Sequence, residues 1–496
     1  MTAQDQYDRE WLALARPPDY VNPVAQGRYN LVVIGAGTAG LVAATGAVAL
    51  GARVALIEQN RVGGSRLNVG CIPSKALVRS ARAVGDFRRS HGLGIIAPES
   101  PQVSFPAVME RMRRLRAQTA SADSVARLVA QGIEIFFGEA RFDDRSHISV
   151  DGQQLAFSRA LIATGSSPAL PSIPGLSALQ PLTNETLFSL TELPPRLAII
   201  GAGPIGCEMA QAFARFGSRV TVYDKEPRIL PADDLDPAEM IKAALVRDGI
   251  QFRLGCTDLH GELANGTKRL RGQTADGEFA DDFEQVLVSS GRTPNVKSLN
   301  LDAAHVAYDE LGVLVTDHLR TSNRQIFAAG DVCSPHKFTH AADALARTVI
   351  ANAMFFGTQR VSSLLIPWCT FTDPEIARVG IGEQDTESEH LIRLEIPLRE
   401  NDRALLDGEE EGVLRIYHDR RGGIHGATLV ASHAGEMIGE LIVAMRHNVR
   451  LGSLASDIHP YPTQSEIFKR AGDQYRRTLL TPTVSAVLKK FLRWRR

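Results

Sequence analysis

The chain is poor in cysteine, with five among 496 residues: Cys71, Cys207, Cys256, Cys333 and Cys369. Their number is odd, no two form a C-x-x-C pair, and none clusters with histidine at metal-ligand spacing. That argues against a disulfide-stapled secreted domain and against a structural metal site, and a reducing cytoplasm is the expected compartment. Apolar runs of about 18 residues, the least a membrane-crossing helix needs, are absent too. The opening MTAQDQYDREWLALARPPDY is acidic before it is apolar, so no secretory leader is expected. Nor is there an excess of one charge: 55 Lys and Arg against 56 Asp and Glu leave a net charge of -1. That removes any global electrostatic case for nucleic acid or an anionic membrane and leaves only local patches to supply one. The arginine-rich PAVMERMRRLRAQTASADSVARLVAQ carries no aromatic residue and reads as a solvated helix face.

Glycine is abundant, and its placement is informative. YNLVVIGAGTAGLVAATGAVALGARVALIE reads as strand, tight turn, helix and second strand. Gly35 permits the turn, Gly37 lets backbone approach a pyrophosphate at the helix N-terminus, Gly40 lets helix and strand pack closely, and Glu58 can accept from a ribose hydroxyl. The unit recurs in LAIIGAGPIGCEMAQAFARFGSRVTVYD. There Gly201, Gly203, Gly206 and Asp224 follow their counterparts at one constant offset of 166 residues. Two such units imply two dinucleotides, and a flavin with a nicotinamide is the natural pair, since hydride passes readily between them.

The chain resembles the class I pyridine nucleotide-disulfide oxidoreductases from about Tyr29 to Gly472. The resemblance is carried by Gly35 to Gly40, GGSRLNVGCIPSKAL from Gly63 to Leu77, Ala163 to Gly165, Gly201 to Gly206, Gly291 to Asn295 and Ala329 to Val332. The phrases RENDRALLDGEEEG, FTDPEIARVG and HPYPTQSE are similar to the mercuric reductase-like members, with dihydrolipoamide dehydrogenase-like members beside them. The resemblance implies an α/β fold with two Rossmann-like dinucleotide-binding domains and a C-terminal α+β dimerisation domain. The expected division is an extension over 1–27, an FAD-binding domain over 28–175 and 294–362, an NAD(P)-binding domain over 176–293, and a dimerisation domain over 363–496. It also implies FAD, NAD(P)H and a homodimer. Gly64, Thr164, Gly165, Gly291, Arg292 and Asp331 join the cofactor site, and Thr339 and His340 begin a helix aimed at the flavin ring. Lys75 and Glu208 match an ion pair beside the flavin's reactive nitrogen.

Relatives in this family carry two cysteines five positions apart, and here Arg66 stands at the first and Cys71 at the second. The expected dithiol relay is therefore incomplete. Tyr461 occupies the position of the usual histidine acid-base catalyst, with Glu466 retained after it, and His459 is expected to be structural. Arg66, if turned inward, would favour a Cys71 thiolate. The expected activity is transfer of hydride from NAD(P)H to FAD, then electrons directly to a small acceptor such as a quinone, a metal ion or oxygen. Disulfide or mercuric reductase-type activity through Cys71 and another thiol, and a non-enzymatic flavoprotein scaffold, are the alternatives. Asp224 favours NADH over NADPH, although Lys225 and Arg228 stand nearby. After Asp473 the chain has seven basic residues and no acidic one. Val484, Val487, Leu488, Phe491 and Leu492 recur there at helical spacing, the pattern of a helix packed on the dimer or touching a membrane peripherally. No resident metal is expected.

Overall fold

A computed structural model describes residues 5–96, 101–264, 266–385 and 390–496. In its first sheet the strand Arg28–Ile34 lies between Val54–Glu58 and Gln153–Ile162 and runs parallel to both, with Leu31 opposite Val54 and Arg159. Glu134–Phe137 extends the parallel order past Val54–Glu58, and Ile326–Ala328 pairs with the end of Gln153–Ile162. Val32, Leu56 and Leu161 are wholly buried. Strands covered on both faces read as unbroken apolar runs, which is why VVI and VALI carry no alternation.

The chain leaves this sheet after Ile162 and rejoins it at Ile326. Between these points a second parallel sheet forms, in the order Gln251–Arg253, Arg219–Tyr223, Arg196–Ile200, Gln285–Val288. An antiparallel meander of Thr257–Ala264, Thr267–Thr274 and Gly277–Phe283 closes over it, with Phe279 and Phe283 against Tyr223. The C-terminal unit is a five-stranded antiparallel sheet ordered Trp368–Thr370, Glu375–Gly380, Ile424–Ala431, Val413–His418, Ile392–Pro397. The helices Ala434–Arg446 and Glu466–Thr478 pack on it through Leu441, Ile467 and Phe468. Two dinucleotide-type sheets, the first carrying His147–Val150 and Arg141–Phe142 antiparallel at one edge, and one α+β unit are the fold class expected from the sequence.

Close approach explains the repeated glycines. Gly35 and Gly201 have φ of 103° and 114°, in the left-handed region. A Cβ on Gly40 would stand 1.8 Å from the Gly35 carbonyl oxygen, and one on Gly206 would stand 1.9 Å from that of Gly201. The obstacle is backbone in both cases, so no rotamer change relieves it.

The residues before the first strand form a helix, Gln6–Ala15, docked by Trp11. Its indole Nε1 donates to Asn68 Oδ1 at 2.9 Å while the Arg116 guanidinium lies 3.9 Å from the ring centroid. Arg116 also pairs with Asp8 at 2.5 Å. The segment around Arg66 and Cys71 is thereby held from outside.

Candidate active site

Gly70 caps the helix Cys71–Arg89, so Cys71 opens it. The Cys71 Sγ lies 3.2 Å from Oγ1 of Thr339, itself the first residue of the helix Thr339–Met354. Two helix N-termini converge on this point, and both favour negative charge there. Of the five cysteines Cys71 alone is exposed, and all five are unpaired. The other thiols donate to nearby carbonyls: Cys207 to Ala202, Cys256 to Arg253, Cys333 to Gly330 and Cys369 to Thr370. Burial pushes the Cys256 thiol up to about 11 and that of Cys333 up to about 12, and raises Cys207 and Cys369 as well.

Arg66 sits in the short helix Gly64–Asn68 and pairs with Asp123, 57 positions away. Its charge is taken up by that carboxylate. This corrects the expectation that an inward Arg66 would favour a Cys71 thiolate.

Lys75 lies one turn into the Cys71 helix. Its Nζ donates to Glu208 Oε2 at 2.7 Å and Oε1 at 3.0 Å and stands 4.7 Å from the Phe371 ring centroid. Glu208, on the helix Pro204–Phe216, is only 3% exposed and also accepts from the Phe371 amide at 3.0 Å. One ion pair thus ties the first dinucleotide unit to the second, with the residue after the strand Trp368–Thr370 supplying an amide.

The two glycine turns fit dinucleotides. Gly37 caps the helix Thr38–Ala49 without any side-chain hydrogen bond, and a Cβ on Gly64 would stand 2.4 Å from Gly37 Cα. This bare cradle, with free helix amides behind it, matches the needs of a pyrophosphate. Gly203 caps Pro204–Phe216 and has nothing within 4 Å of its would-be Cβ. The terminal carboxylates also hold the loops: Glu58 accepts from the amides of Ala36 at 2.8 Å and Asn60 at 2.7 Å, Asp224 from those of Ala202 at 2.6 Å and Glu226 at 3.0 Å. Burial raises the Glu58 carboxyl, against the lowering by those amides.

Around Gly165 the structure builds a polar network. Asn295 Nδ2 donates to the Thr164 carbonyl at 3.0 Å, and the Thr164 hydroxyl donates to the Asn295 carbonyl at 2.7 Å. Arg292, just after Gly291, donates to Ser166 through Nε at 2.7 Å and reaches Ser65, beside Gly64, at 3.4 Å. Ser166 in turn donates to Asp331 Oδ2 at 2.7 Å, and Lys337 donates to the Asp331 carbonyl at 3.0 Å. Sequence reading missed Ser166, Lys337, Asp123 and the Phe371 amide. Ser166 adjoins Gly165, Lys337 lies two residues before Thr339 and Phe371 opens FTDPEIARVG, so recognised motifs could have led to these three; nothing local points to Asp123.

The remaining candidates lie apart. His340 donates through Nε2 to the Pro367 carbonyl, 2.6 Å away, and stacks on Phe338. The Tyr461 hydroxyl donates to Asp402 at 2.9 Å, and that bond raises its pKa. Glu466 opens the helix Glu466–Thr478 with Arg470 at 3.8 Å. His459 is nearly buried against Glu440, at 3.1 Å. Within one chain no hydrogen bond joins Tyr461, Glu466 or His459 to Cys71. Among the described residues no group of three His, Cys, Asp or Glu could hold a metal ion.

Comparison with known proteins agrees with this geometry. Residues 29–348 match the family described as pyridine nucleotide-disulphide oxidoreductase, and residues 366–472 match its dimerisation domain. The chain is 33% identical over 447 residues to mercuric reductase of Bacillus cereus, covering 89% of this chain and 71% of that one. It is 32% identical over 460 residues to dihydrolipoyl dehydrogenase of Chlamydia trachomatis, covering 89% and 95%. The Cu(II) complex of the HOCl-induced flavoprotein disulfide reductase RclA from Escherichia coli superposes with a TM-score of 0.79 at 26% identity, over 90% of this chain and 100% of that one. Sequence repeat, fold and cradle therefore meet in one conclusion: the chain belongs to the pyridine nucleotide-disulphide oxidoreductase family, whose members are FAD- and NAD(P)H-dependent oxidoreductases.

Proposed function

We propose that this protein is a homodimeric FAD-dependent NADH dehydrogenase of the cytoplasm that passes electrons directly to a small acceptor, without a dithiol relay. The observation that carries the reading is the isolation of Cys71: Arg66, five positions before it, is paired with Asp123, and the other four thiols are covered and bonded to carbonyls. When bound, FAD supplies the two-electron chemistry, taking hydride from the nicotinamide and yielding electrons to the acceptor. The chain's own part is electrostatic. Lys75 holds a cation at the reacting edge, Glu208 fixes that cation, and the Thr339 helix N-terminus adds positive potential. We assign Tyr461 and Glu466 to the site of the partner subunit, which the match to a dimerisation domain supports.

NADH is preferred because Asp224 offers a carboxylate to the ribose hydroxyl and would repel a 2′-phosphate. Of the two nearby cations, Arg228 is spent on the carbonyls of Pro231 and Asp233, and Lys225 lies 3.9 Å from Glu226. A basic C-terminal helix that touches a membrane would bring such an enzyme to a lipid-dissolved quinone.

Anaerobic titration with NADH tests the reading. One two-electron equivalent should bleach the flavin fully. Uptake of two equivalents would require a second redox-active thiol and would overturn it in favour of disulfide chemistry, and no bleaching would leave a scaffold. Gly206→Ala and Gly40→Ala separate the two cradles. With a Cβ 1.9 Å from a carbonyl oxygen, Gly206→Ala should retain yellow flavin yet lose at least about tenfold in NADH affinity, the result of displacing the backbone that meets the pyrophosphate. Gly40→Ala should be isolated without flavin. Absorbance at purification and stopped-flow bleaching read both, and unchanged NADH affinity in Gly206→Ala would contradict the assignment of the second cradle.

A further inference from the structure

The helix Pro482–Trp494 buries none of its residues against the rest of the chain. It begins cleanly, with Pro482 in the first turn and the Thr481 hydroxyl accepting from the Val484 amide at 3.3 Å. Its side chains segregate. Val484, Val487, Leu488, Phe491 and Trp494 follow helical spacing along one face, while Lys489, Lys490, Arg493 and Arg496 fall on the opposite one. Phe491 is 47% exposed, Val487 63% and Trp494 80%. Among the described residues no carboxylate pairs with any of the five cations from Lys489 to Arg496.

We propose that Pro482–Trp494 is a peripheral membrane helix that lies in the headgroup plane of a bilayer rich in anionic phospholipid. It goes beyond the electron-transfer reading and stands whatever the acceptor is. The charge pattern selects the occupant. An interface with a second copy of the chain would be expected to exclude charge from its core, and two copies of this helix, cationic and without an acidic residue, would repel. A negative lipid surface instead attracts each Lys and Arg while accepting the apolar face beneath. Trp494 suits the boundary, having an apolar ring and a donor, and the Arg495 guanidinium stays near it, 5.7 Å from the Phe491 ring centroid. At 13 residues the helix is too short to cross a bilayer, and among the described residues no helix is long and apolar enough to do so.

The test uses the full-length holoenzyme, co-sedimented with vesicles of phosphatidylcholine alone or of phosphatidylcholine with about one-third phosphatidylglycerol. Binding is expected to the second and to be at least about tenfold weaker to the first, and to weaken as salt is raised. Two variants should lose it: a truncation after Thr481, and Phe491→Glu with Leu488→Glu in the intact chain. Both should keep full NADH-dependent flavin bleaching, which separates failure of the anchor from failure of the enzyme reading. Absence of binding by the intact protein to the anionic vesicles overturns the proposal, as does equal binding by the truncated one. A truncation that turns the dimer into monomers while the intact protein ignores lipid would assign the helix to the subunit interface instead.

Discussion

Lys75→Met is expected to slow reduction of the flavin by NADH about 100-fold, the size of effect seen when one preorganised charge or donor is removed from a reacting centre. The same change should destabilise the folded holoenzyme by about 2 kcal/mol. Removing one partner of a fully buried pair costs about 3 to 5 kcal/mol. Here the Lys75 side chain is 36% exposed while that of Glu208 is 3%, so only the carboxylate is stranded without water. The Phe371 amide at 3.0 Å remains as its one donor and offsets part of the loss. The two effects can be separated. Glu208→Gln on top of Lys75→Met neutralises the stranded charge and should recover most of the stability in chemical denaturation. It should recover none of the rate, because the cation at the reacting edge is still missing. Recovery of both together would reduce the pair to a structural brace between the two dinucleotide units.

How much of this site could be read from the sequence depended on how local its physics is. Gly40 and Gly206 were legible because each meets a carbonyl oxygen of its own turn, and Gly35 and Gly201 because each turn needs a positive φ there, which glycine supplies. The two parallel sheets followed from the same stretches, since a strand buried on both faces needs an unbroken apolar run. Lys75 and Glu208 lie 133 positions apart, so no periodicity joins them, and only their places in a recognised motif order did. Asp123 had no such support. It is an ordinary acidic residue near the end of a helical stretch, and nothing local says that Arg66 will turn to it. The N-terminal extension was likewise marked only by its bounds, and the contact of Trp11 with Asn68 is a tertiary choice made between Arg116 and Asn68. The terminal acceptor leaves no mark of this kind, since transfer from an accessible flavin edge asks for no particular side chain.

Arg66→Cys is expected to raise NADH uptake in the anaerobic titration from one two-electron equivalent to two, and to bring NADH-dependent reduction of oxidised lipoamide where the parent has none. The loop between the two positions is turned back on itself. The Val69 amide donates to the Ser65 carbonyl at 3.1 Å, and a Cβ on Gly70 would stand 3.7 Å from the Arg66 nitrogen. The loop therefore doubles back and brings Gly70, the neighbour of Cys71, against position 66, and the disulfide needs the two Cα atoms about 4.4 to 6.8 Å apart. The second equivalent is then accounted for: two electrons and two protons convert that disulfide into two thiols, and the outward one exchanges with substrate. Loss of the Arg66–Asp123 pair should cost about 1 kcal/mol at most, since both side chains keep about a quarter of their surface in water. Arg66→Ser carries the same loss without a thiol and should stay at one equivalent. If Arg66→Cys keeps its flavin, forms the disulfide and takes two equivalents but still leaves lipoamide untouched, the exit is closed at Tyr461, whose hydroxyl is engaged by Asp402 and titrates too high to serve as a base near neutral pH. If it takes only one, Cys71 is out of electronic reach of the flavin, and the helix N-termini that meet at Thr339 serve the cofactor alone.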